Sequence, residues 1–219
     1  MTEIHLTLPA RGPFDLLERV ARGADLSGLD GLYAPSDPGG LDSLVVAAGA
    51  LRATRYTLTA AAFSPRVSTP VYAAKFSASL QRFSGGRFGW HLAGAAPDVT
   101  AEFLTVAKGV WTAPDFSFEG RHFSVLKGGL GPVLAAGPFP RVYLSGTSPA
   151  ELELSARHAD VHVFDPADDI EALLPAGVTA ALRVTAEELG DHLGRAGIYL
   201  VTSGEPLRDA YRIGESRVG

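Results

Sequence analysis

The chain has 219 residues, of which 46% are hydrophobic and 20% are charged, and its formal net charge is −5. This composition is typical of a globular protein and excludes an intrinsically disordered chain. The length allows one large domain or two small ones, with enough residues to bury a core. Lysine and arginine are scattered rather than clustered, which argues against nucleic-acid binding.

The chain contains no cysteine, which excludes disulfides, thiolate metal sites and a cysteine nucleophile. The N-terminal residues MTEIHLTLPARG are too polar for a secretory signal peptide. No apolar stretch reaches the length of a membrane span. We therefore expect a cytoplasmic protein with no membrane or nucleic-acid partner.

The first half of the chain alternates predicted strands with predicted helices. Glycine pairs and Ser/Thr-Pro sequences mark several of the helix ends. The predicted strands cover 4–9, 29–35, 56–63 and 87–94, and the predicted helices cover 13–28, 41–54, 68–86 and 98–111.

Residues 113–140 interrupt this alternation, because they are rich in glycine, proline and aromatic side chains. Such a composition predicts a small hairpin followed by a loop. After it the alternation resumes. The later predicted strands cover 141–146, 160–165, 177–184 and 198–204, and the later predicted helices cover 149–159, 166–176, 185–197 and 206–216.

Eight strands that alternate with helices predict a parallel β/α architecture. Eight such units closing on themselves form the (β/α)₈ TIM barrel, and at this length the barrel has almost no insertions. We therefore predict a minimal TIM barrel as a single domain over 1–219. A doubly wound open sheet is the structural alternative.

The most distinctive turn follows the strand at 141–146, where the sequence runs into Ser145, Gly146, Thr147 and Ser148 before Pro149. One interpretation is an ordinary helix cap formed by Thr147 or Ser148. The other is an anion site, because a helix N-terminus offers unpaired N–H groups that small residues leave accessible to a phosphate. The residues of the turn alone leave both interpretations open.

His5 and His91 fall on the first and fourth predicted strands, from which their side chains can enter the barrel interior. A neutral imidazole offers a donor or an acceptor to a bound ring. A hydrogen-bonded core histidine with no catalytic role is the alternative. No histidine pair has the spacing of a metal site, so we expect no metal ligands in this chain.

Several long motifs resemble the luciferase-like, flavin-dependent monooxygenases, and the alkanesulfonate monooxygenases are the most similar branch. The resemblance covers most of the chain in family order. It implies a (β/α)₈ barrel that uses reduced FMN and oxygen, forms a homodimer and receives reduced flavin from a flavin reductase. The stretches that carry it are 42–88, 101–111, 118–125, 142–164 and 198–215.

The resemblance also implies roles for particular residues. Ser145, Gly146, Thr147 and Ser148 correspond to the flavin phosphate site of the family. Ala61, Ala62 and Phe63, at the end of the third strand, correspond to the segment behind the isoalloxazine ring, although tight strand–helix packing explains small residues there equally well. Helices 41–54 and 68–86 correspond to the dimer interface, and their high apolar content agrees with this role.

The chain departs from the alkanesulfonate branch where that branch carries reactive side chains. Thr179 and Ala181 stand at the positions of an arginine and a histidine, Gly40 at that of a cysteine and Glu205 at that of a tyrosine. A polar loop after the fourth strand and a mobile lid after the seventh are also missing. These losses predict reduced or altered oxygenation and leave His5, His91 and Arg183 as the remaining catalytic candidates. The alternative is a flavin-binding or structural dimeric barrel without activity.

Overall fold

The computed structural model describes residues 2–218 and shows a closed barrel of eight parallel strands. The strands follow the order β1-β10-β9-β8-β7-β4-β3-β2 around the barrel, and each pairs in parallel with both neighbours. The predicted (β/α)₈ barrel is confirmed. The alternative of a doubly wound open sheet is wrong, because β1 pairs with both β2 and β10 and leaves no edge.

The strands of the structure are β1 Glu3–Thr7, β2 Gly31–Ala34, β3 Leu58–Phe63, β4 Phe88–Leu92, β5 Phe116–Glu119, β6 Ser124–Gly128, β7 Arg141–Ser145, β8 Val161–Phe164, β9 Thr179–Thr185 and β10 Ile198–Thr202. The helices are α1 Phe14–Leu26, α2 Ser43–Ala53, α3 Pro70–Ser84, α4 Pro97–Thr112, α5 Pro149–His158, α6 Ile170–Leu173, α7 Leu189–His192 and α8 Pro206–Val218. Among these described residues, no helix combines the length and apolarity needed to cross a membrane.

Alternation along each strand divides the core into two layers. Ile4 and Leu6 of β1 face outward and join the apolar layer between the sheet and the helices. The interior of the barrel is filled by a separate, smaller cluster of side chains. Its fully buried members are Tyr33, Ala60, Ala62, Tyr143, Val161, Val163, Ala181, Ile198 and Leu200.

The predicted hairpin is confirmed as the antiparallel pair β5–β6, inserted between α4 and β7. The Glu102 carboxylate of α4 accepts hydrogen bonds from three consecutive backbone N–H groups of the hairpin turn, at 2.7 to 3.0 Å. Phe116 packs so closely on Gly109 of α4 that a Cβ there would overlap its ring. The hairpin is therefore attached to the outside of the barrel by both polar and apolar contacts.

Two helices are much shorter than the sequence predicts. Where helices over 166–176 and 185–197 are expected, the structure has only α6 and α7, of four residues each. The Tyr199 hydroxyl explains the second case: it accepts from the N–H groups of Arg195 and Ala196 and donates to the His192 carbonyl. The backbone after α7 is thereby held in a turn against the barrel instead of continuing as a helix.

Candidate active site at the barrel mouth

A cavity of about 320 Å³ opens at the C-terminal mouth of the barrel. This end of a TIM barrel carries the active site in essentially all characterised enzymes of the fold. The lining is mostly apolar with a few polar groups, which is the composition of a small-molecule site. The lining residues come from the ends of β1, β2, β9 and β10: Thr7, Leu8, Pro9, Ala10, Tyr33, Pro35, Arg183, Leu200, Thr202 and Ser203.

Tyr33, His91 and Ser145 form a hydrogen-bonded chain across the mouth. The Tyr33 hydroxyl lies 2.7 Å from His91 Nδ1, and His91 Nε2 lies 3.3 Å from Ser145 Oγ. Tyr33 lines the cavity, whereas Ser145 begins the turn before α5. These two hydrogen bonds therefore connect the cavity to the turn before α5.

The protonation states of Tyr33 and His91 follow from the burial of their side chains. Burial, together with the positive charges of Arg183 and His162, lowers the pKa of His91 to about 3. Burial raises the pKa of Tyr33 to about 12, with a smaller opposing effect from Arg183. At neutral pH Tyr33 is thus a protonated hydroxyl and His91 a neutral imidazole, with one ring nitrogen as donor and the other as acceptor.

Arg183, a predicted catalytic candidate, lies in the cavity lining. Its guanidinium pairs with Asp165 at the end of β8, with an N–O distance of 3.0 Å, and its side chain is 39% exposed. Ala181 occupies the preceding inward position and is fully buried. Thr179 lies at the exposed start of β9. Arg183, the cationic residue of the lining, thus lies one inward-facing position after Ala181 along β9.

His5, the second histidine candidate, lies deeper in the barrel and is not part of the cavity lining. Its Nε2 donates to the Glu3 carboxylate at 3.0 Å, and Glu3 also pairs with Arg141 at 2.8 Å. The imidazole fits there only because Gly31 has no side chain, since a Cβ would lie 2.6 Å from the ring. The structure therefore places His5 among the polar groups at the N-terminal end of the barrel, away from the mouth.

The turn from Ser145 to Ser148 forms the N-terminus of α5. Gly146 has a φ of 114°, a conformation that favours glycine. Ser148 is the N-cap and forms a capping box with Glu151. The helix-cap interpretation is therefore confirmed as local structure, and phosphate binding by the same turn stays a prediction.

The three residues of β3 that are predicted to contact flavin face different layers of the core. Ala62 faces the barrel interior, whereas Ala61 and Phe63 belong to the outer core. The Phe63 ring packs edge-on against Trp90, with ring centroids 5.5 Å apart. Of the three side chains, only the Ala62 methyl is therefore available to a ligand inside the barrel.

Gly40 and Glu205, two positions at which the sequence departs from the alkanesulfonate branch, lie close to the mouth. Gly40 precedes α2 and packs on the Ala10 carbonyl so tightly that a Cβ would overlap it. Glu205 follows β10 and pairs with Arg208 at the surface, with an N–O distance of 2.8 Å. Neither supplies a titratable side chain to the cavity lining.

Tyr33 is a candidate site residue that the sequence did not indicate. The stretch 29–35 reads as a short buried strand, and nothing in it distinguishes a core tyrosine from one whose hydroxyl faces a cavity. The available signal was its place at the C-terminal end of a barrel strand. Within residues 2–218, no group of three or more histidine, aspartate or glutamate side chains has a geometry that could hold a metal ion.

Comparison with known proteins identifies the class to which this fold and mouth belong. The model of the luciferase-like monooxygenase family matches residues 1–204. The chain therefore belongs to the luciferase-like monooxygenase family. The narrower resemblance to the alkanesulfonate branch stays a prediction.

Solved structures with the same fold have low sequence identity to this chain. A riboflavin lyase matches with a TM-score of 0.72 and 15% identity, over 84% of this chain and 62% of its own. The EDTA monooxygenase from Chelativorans sp. BNC1 matches with a TM-score of 0.68 and 20% identity, over the same 84% and 62%. The chain thus spans less than two thirds of the length of these proteins.

One structural relative has nearly the same extent as this chain. The coenzyme F420-dependent tetrahydromethanopterin reductase from Methanopyrus kandleri matches with a TM-score of 0.79 and 10% identity. The match covers 98% of this chain and 97% of the reductase. A barrel without long insertions is therefore a fold that this chain shares with another solved protein.

Proposed function

We propose that this chain is a flavin-dependent oxidoreductase that binds reduced flavin in the cavity at the barrel mouth. The proposal rests on one observation. The hydrogen bonds Tyr33–His91–Ser145 join the cavity to the turn before α5. Tyr33 would contact the ring of a flavin bound there, and Ser145 would contact its ribityl chain. FMN, when bound, supplies the redox chemistry, and the protein supplies position and electrostatics.

The residues present fit such a ligand. The cavity lining is mostly apolar, which suits a planar ring. Ala62 of β3 faces the barrel interior but lies outside that lining. Tyr33 presents a hydroxyl, and Arg183 presents the positive charge that favours an anionic, reduced flavin over a neutral one. The N–H groups and hydroxyls of 145–148 are the donors that a flavin phosphate would use, and the Glu151 carboxylate already accepts from Ser148 among them.

Oxygenation is expected to be weak in this chain. Only four residues, 93–96, separate β4 from α4, and only 186–188 separate β9 from α7. Such short connections leave the cavity open to water, whereas oxygen transfer benefits from its exclusion. We therefore propose that most oxygen consumed by the loaded protein leaves as peroxide. In the non-catalytic alternative, the barrel binds flavin or serves only as a structural dimer.

A second candidate function is hydride transfer without oxygen. The structural match to the F420-dependent reductase over nearly both full chains favours it, because that protein is a reductase of the same length class. Both candidates use the same cavity and differ in the cofactor. Titration with FMN and with coenzyme F420, followed by reaction of each reduced complex with oxygen, separates them.

The proposed partners are a second copy of this chain and a flavin reductase that supplies reduced flavin. A groove of about 390 Å³ between α2 and α3 is lined by apolar side chains, among them Leu44, Val67, Tyr72 and Phe76. Val67 and Tyr72 are 68% and 63% exposed. An apolar surface of this kind supports the proposed homodimer.

The test of the proposed function is an absorption and binding experiment. The purified protein is titrated with FMN under air and then photoreduced without oxygen, and oxygen uptake and peroxide release are followed after mixing with air. Saturable binding with turnover supports the proposal. Saturable binding without turnover favours the non-catalytic alternative, and no binding of FMN, riboflavin or F420 overturns the proposed function.

A further inference from the structure

The turn 145–148 already holds an anion, and the anion belongs to the chain itself. The Glu151 carboxylate accepts hydrogen bonds from the Ser148 N–H at 3.0 Å and from the Ser148 hydroxyl at 2.6 Å. It also lies against Gly146, where a Cβ would overlap the carboxylate. The N–H and hydroxyl of Ser148 and the space over Gly146 are thus occupied by one side chain.

A buried histidine lies on the strand beside the one that precedes this turn, since Leu144 of β7 pairs with His162 of β8. His162 is fully buried, and its Nδ1 bonds to the Ser155 hydroxyl at 2.8 Å. Burial lowers the pKa of His162, against smaller opposing effects of the Gly146 carbonyl and of the Asp168 and Glu151 carboxylates, while Arg183 lowers it further. The Glu151 carboxylate therefore belongs to the electrostatic surroundings of this imidazole.

We propose that Glu151 is the specificity-determining residue of the cofactor site and that it selects against a phosphorylated flavin. Its carboxylate occupies the position in which the turn would otherwise hold a phosphate. A ligand whose ribityl chain ends in a neutral hydroxyl meets no charge there. This inference rests on the proposed function, because it concerns the cofactor that the mouth binds.

The physical reason is repulsion at short range combined with competition for donors. A phosphate monoester carries between one and two negative charges near neutral pH. Like charges a few ångströms apart oppose binding, although solvent screens the repulsion at an exposed turn. To enter, the phosphate must displace Glu151 and replace its hydrogen bonds to Ser148. Riboflavin, which lacks the phosphate, avoids both costs.

The test compares the affinities of riboflavin and FMN, measured by quenching of flavin fluorescence, in the wild type and in variants. E151Q removes the charge and retains a side chain that satisfies a capping box. E151A also empties the space over Gly146. E153Q is the matched control, since Glu153 lies on the same helix, is 69% exposed and pairs only with Arg157.

We expect the wild type to bind riboflavin at least as tightly as FMN. In E151A the affinity for FMN relative to riboflavin rises by about tenfold or more, with E151Q intermediate and E153Q unchanged. If all four proteins bind flavin with the same ratio of FMN affinity to riboflavin affinity, the inference is overturned and the proposed function stays intact. Absence of binding of either flavin to the wild type and to E151A overturns both. Circular dichroism melting verifies that each variant is folded.

Discussion

The hydroxyl of Tyr33 lies 2.7 Å from Nδ1 of His91, and this hydrogen bond joins the cavity at the barrel mouth to β4. The two rings are tilted by 45° with centroids 5.6 Å apart. Both side chains are almost fully buried, at 9% and 1% exposure. Together with the contact to Ser145, this bond engages both ring nitrogens of His91.

The first prediction concerns this bond. We expect Tyr33→Phe to weaken flavin binding by about tenfold, because the hydroxyl lines the cavity and a lost hydrogen bond of this kind costs about 1–1.5 kcal/mol. The unpaired Nδ1 also lowers the free energy of unfolding by about 1–3 kcal/mol. Tyr56→Phe, at a tyrosine 79% exposed, is the control. Equal flavin affinity of both variants and the wild type would contradict the role of Tyr33.

The second prediction concerns the charge of Arg183. Its replacement by glutamine removes the cationic group of the cavity lining, so we expect the affinity for reduced flavin to fall by about threefold or more relative to oxidised flavin. The ratio is obtained from one titration with oxidised flavin and one, without oxygen, with photoreduced flavin. Arg157→Gln, at an exposed helix position paired with Glu153, leaves the ratio unchanged. A parallel loss for both redox states in R183Q would show that Arg183 acts by shape alone.

The third prediction concerns acid stability. The hydrogen bond from His5 and the pairing with Arg141 lower the pKa of Glu3 from 4.5 to about 2, although burial opposes the shift. The folded state binds this proton less readily than the unfolded state, so the stabilisation is complete above pH 4.5 and is lost as the pH falls toward 2.

We therefore expect Glu3→Gln to lower the free energy of unfolding at pH 7 by about 1–3 kcal/mol, because it leaves Arg141 without its carboxylate partner. Urea denaturation between pH 7 and pH 2.5 measures this difference. It should shrink as the pH falls through the interval between the two pKa values. A difference that stays constant with pH would mean that Glu3 contributes through packing rather than through its charge.

The fourth prediction concerns the attachment of the hairpin. Gly109→Ala places a methyl group into the ring of Phe116, and we expect a loss of about 1–3 kcal/mol in the free energy of unfolding from this overpacking. Gly190→Ala is the control, since no atom lies within 4 Å of the added Cβ. The control should be neutral or stabilising by up to about 1 kcal/mol. Identical thermal melts of both variants would reject the close packing of Phe116 on α4.

The fifth prediction concerns the proposed dimer. We expect sedimentation velocity at micromolar concentration to give a dimer for the wild type and a monomer for Val45→Asp combined with Tyr72→Asp. Both positions lie on the surface of α2 and α3, with 57% and 63% exposure, and a buried unpaired carboxylate disfavours association. Leu126→Asp, at an 83% exposed position of β6, is the control. A monomeric wild type would reject this interface outright.

The amino-acid sequence by itself determined the class of fold. Strand and helix periodicity, with Ser/Thr-Pro and glycine punctuation, marked the eight units and the hairpin after α4, because these signals are local and recur in each unit. The dependence on local signals also explains why two helix predictions were wrong. Helices were predicted over 166–176 and 185–197, yet Tyr199, a residue outside both segments, holds the turn after α7 by three hydrogen bonds.

The tertiary structure alone decided which polar side chains meet. The sequence proposed His5, His91 and Arg183 together, but the closed barrel separates them into two layers, with His5 beside Glu3 and the other two near the mouth. It also joined Tyr33, His91 and Ser145, from three strands that are distant in sequence. The register between strands sets the height of each inward side chain, and register is a property of the closed sheet rather than of any single strand.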